Sequence, residues 1–399
     1  MVSHTPPSLR DTSPNLGEEL VYRLQTMKQT LPYFRPILKS TQSKANNDII
    51  DECVELYEAG KPQESLLRLI DFFNPEFREK YSNKSGTKLQ IPHGSIVVNI
   101  HLGKREVYIY SDFLTIPVEQ RLPMLRQIAE MNSSRLMLPR FVLDGNQLRI
   151  EYRCSTAQSH PYKIFTVLRN ICMVGDRYDD EFIDKFGATR SYTPIVEPYN
   201  TRDVNYIYKA VQTLCSQSLE GIDKYSRQRF YGNAMQVLAT AICQINYVAN
   251  PQGGLLNKIN RTIGMLSSDD VPILDQLKKG VTALQDIQKL SKKEMARDLY
   301  HVNILVSPNM RGTLQTLQKK LADIFKMALE RIQFKDYEQV ALRLTYAIYR
   351  LFYEYDIPDN INAVLTKGLK QACGAPFKEA SMTLLQTIDY LMDDDNFDA

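Results

Sequence analysis

Residues 95–110 read SIVVNIHLGKREVYIY, and they decide how the middle of the chain folds. Ile96, Val97, Val98 and Ile100 form one β-branched, apolar run, and Val107 to Tyr110 form a second beyond Gly103-Lys104. Two such runs on either side of a glycine predict a β-hairpin. A second hairpin is expected from 136–143 and 148–152, because Asp144-Gly145-Asn146 lies between them and Asp-Gly between apolar runs is a strong turn signal. Leu122, Leu125, Ile128 and Met131 recur at helical spacing behind Pro117, which predicts a helix over 118–131. Ile164, Phe165, Leu168, Ile171 and Cys172 predict a longer helix over 161–186. The order is two strands, helix, two strands, helix. It predicts an α+β domain over 87–188, with helices on one face of an antiparallel sheet.

Upstream, 1–17 is rich in Ser, Thr and Pro and reads as a disordered arm. Leu20, Val21, Leu24, Met27 and Leu31 predict an amphipathic helix over 18–31, and the polar run 40–47 reads as a linker. Segments 48–59 and 62–73 form a predicted helical hairpin, with Gly60 as a left-handed cap and Pro62 in the first turn of the second helix. These N-terminal helices occupy 18–86. The run LYEAGKPQESL at 56–66 looks like the middle of a tetratricopeptide unit, but no second copy follows, which argues against a repeat array.

Downstream, Pro194 and Pro198 among polar residues mark 189–201 as an expected linker. The remainder, 202–399, has helical periodicity almost throughout and predicts an all-α domain. Its expected helices lie over 204–219, 228–248, 255–265, 271–290, 292–305, 310–333, 336–355, 360–372 and 378–392. At 399 residues the chain is expected to hold two or three domains.

Composition bounds the function. Hydrophobic residues make up 43% and charged residues 24%, so most of the chain has the makings of a folded protein. No run of eighteen apolar residues is present, and the N-terminus lacks the apolar core of a signal peptide. Both point to a cytoplasmic protein without a membrane partner. A net charge of +3 does not by itself call for nucleic acid. The stretch 257–335 is more basic, with 14 Lys and Arg against 8 Asp and Glu, and nucleic-acid binding through these helices is the alternative reading.

No catalytic or metal-binding pattern emerges, so neither an enzyme nor a cofactor is expected. The five histidines lack a ligand spacing, and no Cys pair lies close enough for a CxxC site. Most of the six cysteines sit among apolar neighbours, and they read as buried thiols. Gly253-Gly254 lacks both the preceding strand and the following Lys-Ser or Lys-Thr of a phosphate-binding loop. Asp179-Asp180-Glu181 reads as a solvated helix face.

Candidate binding residues are aromatic and basic. Tyr108 and Tyr110 alternate on one strand and share a face. Arg135, Arg140, Arg149 and Arg153 surround the second hairpin and suit an acidic client. Tyr346, Tyr349 and Tyr353, three and four apart, form a stripe on one helix that suits either a partner or a core.

The first hairpin, its helix, the run NSSRLMLPRF at 132–141, the Asp-Gly turn and the long closing helix resemble the YbjN-like, type III secretion chaperone-like superfamily. The resemblance covers about a quarter of the chain. It implies a cytoplasmic, non-catalytic domain that often dimerises and binds an extended or helical segment of a protein or peptide client. The 202–399 segment resembles no such family.

Overall fold

A computed structural model describes residues 31–38, 48–194 and 196–397. The arm over 1–17, the linker over 40–47 and, save for Leu31, the helix expected over 18–31 lie outside the described residues. The chain forms two compact units. One comprises Pro36–Thr313 with Tyr349–Asp359, and the other Leu314–Ile348, Asn360–Ala399 and Met1–Arg35.

The larger unit begins with the helical hairpin, α1 (Asp48–Glu58) and α2 (Pro62–Phe73), followed by the short α3 (Glu76–Tyr81). Gly60 turns between the first two at φ 75°, a backbone angle that favours glycine. The Ser65 hydroxyl donates to the Cys53 carbonyl at 2.6 Å inside the hairpin.

The sheet follows as β1 (Lys88–His93), β2 (Ile96–Leu102) and β3 (Glu106–Thr115), then α4 (Arg121–Ser134), β4 (Arg140–Asp144), β5 (Gln147–Ser155) and α5 (Pro161–Phe186). Strand order is β1-β2-β3-β5-β4, antiparallel throughout. The fold is therefore α+β, with a helical C-terminal region. Strand β1 is an addition to the expected two hairpins. Its polar positions Lys88 and Gln90 and its proline at 92 weaken the strand signal. Proline is tolerated because β1 is the outermost strand of the ladder and needs fewer backbone donors. The second hairpin turns at Gly145, φ 61°, as its sequence predicts.

One face of the sheet is the core. Ile91, Val98, Val107, Ile109 and Ile150 are buried together with Ile164, Leu168 and Ile171 of α5. A register shift between Asp112 and Leu114 breaks the alternation of β3, and Phe113 and Leu114 are both buried. Asn132, which opens the 132–141 motif, accepts the Phe141 N–H at 2.7 Å and donates to the Phe141 carbonyl at 3.1 Å. Its amide thus acts as a short piece of strand that fixes where β4 begins.

The 189–201 segment differs from a free linker. It carries β6 (Thr189–Arg190), paired with β3, and β7 (Glu197–Pro198), paired with β8 (Tyr300–His301). Five helices belong to the same unit: α6 (Thr201–Arg227), α7 (Tyr231–Ala249), α8 (Gly253–Leu266), α9 (Ile273–Lys289) and the short α10 (Lys292–Ala296). The helix expected over 292–305 therefore stops early. Beyond it, the Leu305 N–H donates to His93 Nδ1 at 3.0 Å and the Gly94 N–H to the Asn303 carbonyl at 2.9 Å. Leu305 and Val306 are members of the sheet's core cluster. The compact unit accordingly runs across the expected domain boundary, because residues near 305 complete a core begun near 90. A two-residue parallel ladder of β9 (Met310–Arg311) with β10 (Tyr355–Asp356) closes this unit.

The smaller unit is helical. It holds α11 (Leu314–Gln333), most of α12 (Tyr337–Glu354), α13 (Asp359–Ala372) from Asn360 onward, and α14 (Phe377–Met392). Its core includes Leu317, Leu321, Leu344, Leu365, Leu384 and Ile388. Gly368 approaches Thr387 so closely that a Cβ there would lie 2.9 Å from the Thr387 Cβ.

Candidate functional site

The strand register builds a polar and aromatic array on the face of the sheet opposite the core. Lys88, His101, Tyr108 and Arg153 stand in one row across β1, β2, β3 and β5. Gln90, Asn99, Tyr110, Glu151 and Arg140 form the next row, which reaches β4. Asp112, Arg149 and Val142 form a third. Side chains two apart on a strand share a face, so all three rows project the same way.

Tyr108 and Tyr110 stack with ring centroids 4.7 Å apart. His101 meets both rings edge-on, at 5.9 and 5.6 Å. The Arg153 guanidinium lies 3.7 Å from the Tyr108 centroid, and that of Arg149 lies 4.8 Å from the Tyr110 centroid. Stacking of this kind contributes about 0.5–1 kcal/mol per exposed cation–ring pair. The Tyr108 hydroxyl donates to Glu151 Oε2 at 2.7 Å, and Arg149 Nε donates to Asp112 Oδ1 at 2.7 Å. Burial, and then the bond to Glu151, push the Tyr108 phenol above its usual range. Burial, and then Lys88, lower the His101 imidazole. Tyr108 thus stays a neutral donor and His101 is held toward its neutral form. Among the described residues, no hydrogen bond or ring contact joins this array to a helix. The result is a pre-ordered aromatic platform edged by cations, a surface suited to stacking and polar contact.

The other basic candidates have different roles. Arg140 donates through Nη1 to the carbonyls of Leu136, Met137 and Pro139, the shortest at 2.8 Å, so it holds the approach to β4. Arg135 is exposed at the end of α4 and lines a cleft on the helical side.

The tyrosine stripe of α12 is mostly internal. Tyr349 is buried against Tyr247 and Phe352, with ring centroids 5.3 and 6.4 Å away. The Tyr353 hydroxyl donates to Asn260 at 2.8 Å, and burial pushes its phenol up to about 12. These two serve packing rather than a partner surface, because the flanking α7 and α8 supply the contacts. Tyr346 is half-buried.

The six cysteines are free thiols, four of them buried. Burial raises Cys53 to about 11 and Cys215 and Cys243 to about 12, which keeps them protonated and unreactive. Among the described residues, no group of three or more His, Cys, Asp or Glu is placed to hold a metal ion, and no helix is long and apolar enough to cross a membrane. In the basic 257–335 stretch, Lys258 pairs with Asp286 at 3.5 Å and Arg261 with Glu181 at 2.9 Å. Compared with models of known protein families and with curated protein sequences, the chain matches none.

Proposed function

We propose that this protein is a non-catalytic, chaperone-like adaptor of the cytoplasm, whose α+β body binds an extended or helical segment of a protein client across the outer face of its sheet. The observation that carries this reading is the array of Tyr108, Tyr110, His101, Arg149 and Arg153, ordered by its own stacking and bonds and joined to no helix among the described residues. A partly exposed aromatic surface that is already ordered binds at low entropic cost, since little side-chain freedom remains to be lost. The likeness of 87–188 to the secretion chaperone-like superfamily supports the same reading. So do the buried, protonated thiols, which are ill suited to nucleophilic chemistry.

The test is comparative affinity capture from the native cell. The full chain is expected to retain a defined protein that the Tyr108→Ser/Tyr110→Ser double variant releases. Equal capture by both chains, with the variant's circular dichroism unchanged, would remove the sheet face from the account.

A further inference from the structure

The opposite side of the α+β layer is covered by helices. A cleft of about 600 Å³ lies between α4, α5 and α8. That volume is typical of a small-molecule site. Arg126 and Arg135 come from α4 and its end, Arg177 and Lys185 from α5, and Arg261 from α8. Five cations therefore converge from three elements, against the two carboxylates Glu130 and Glu181.

Only part of this charge is neutralised within the cleft. Arg261 pairs with Glu181 at 2.9 Å, and Gln127 donates to the other Glu181 oxygen at 3.2 Å. Lys185 donates to Gln127 Oε1 at 2.7 Å, a neutral partner. Arg126, Arg135 and Arg177 form no ion pair among the described residues, although Arg177 lies 5.6 Å from the Tyr178 ring. Elsewhere in the same unit Arg149 and Arg190 each sit on a carboxylate. Gathering like charges in one concavity is unfavourable unless an anion joins them, and a cleft lined by one sign concentrates the opposite ion. Guanidinium forks match phosphate oxygens two at a time, and an excess of three positive charges calls for several negative charges on a compact ligand.

We propose that this cleft binds a small molecule bearing two or more phosphate groups. The site lies on the helical side of the layer, away from the aromatic face of the sheet.

Calorimetric titration of the full chain with inorganic pyrophosphate at low ionic strength tests it. Saturable binding at one site per chain is expected, weakening steeply with added salt. Arg126→Gln and Arg177→Gln are each expected to raise the Kd about tenfold, the loss of one charge-assisted contact. Arg105→Gln, in the β2–β3 turn outside the cleft, is expected to leave it within about twofold. All three arginines are exposed, so circular dichroism and the melting temperature should show the variants folded. Absence of pyrophosphate binding at millimolar concentration overturns the proposal. So does equal binding by the Arg126→Gln/Arg177→Gln variant, or binding of an acidic peptide or citrate where pyrophosphate fails.

Discussion

His93 offers a direct handle on how the larger unit is held together. It is 3% exposed at the end of β1, and its Nδ1 accepts the Leu305 N–H at 3.0 Å. An imidazole that accepts through Nδ1 is neutral and carries its proton on Nε2. Burial lowers its pKa from 6.5 to about 4. The unfolded chain takes up this proton near pH 6.5, whereas the folded chain resists it until about pH 4. The stabilisation is therefore full above about pH 6.5, is lost as pH falls toward 4, and is absent below that. At about 1.4 kcal/mol per pH unit, the whole window is worth about 3 kcal/mol, and about 2 kcal/mol of it is lost between pH 7 and pH 4.5. His93→Gln retains an acceptor for Leu305 but cannot titrate. Urea unfolding followed by circular dichroism at both pH values should show the native chain losing about 2 kcal/mol more than the variant, since the carboxylates titrate alike in both. Equal losses, or an imidazole signal titrating near pH 6.5 in nuclear magnetic resonance spectra, would show that burial does not hold His93 neutral.

Two further perturbations follow from the geometry. Asn132→Ala removes both bonds to the Phe141 backbone and should cost about 1–3 kcal/mol of stability, with amide exchange accelerated first in β4. Gly368→Ala places a methyl group 2.9 Å from the Thr387 Cβ, which no side-chain rotation relieves; a loss of about 1–3 kcal/mol is expected in thermal unfolding, and restoration by a second change, Thr387→Ala, would identify the clash as its cause.

Local signals made much of the fold legible. The long helix over 161–186 could be read from its apolar spacing, and the turn at Gly145 from Asp-Gly chemistry, because both depend on neighbours along the chain. Strand β1 was not legible because Gln90 and Pro92 interrupt a pattern that only its edge position makes tolerable. The entry of Leu305 and Val306 into the sheet's core was not legible, since no local feature tells an apolar pair in a loop from one at a helix end. Of the candidate face, the alternation of Tyr108 and Tyr110 was visible. The placement of Arg153 over a ring was not, because it depends on the β3–β5 register. The basic cleft was less legible still, as Arg126, Arg177 and Arg261 converge only through tertiary packing.

The outer face of the sheet is proposed to receive a protein client. Site-specific photo-crosslinking in the native cell measures this most directly, with a photoreactive phenylalanine at Tyr110 and, as a control, at Leu122, which is 60% exposed on α4. A discrete crosslinked protein is expected from position 110 and none from position 122. Crosslinks from 122 alone, or the same products from both positions, would contradict it.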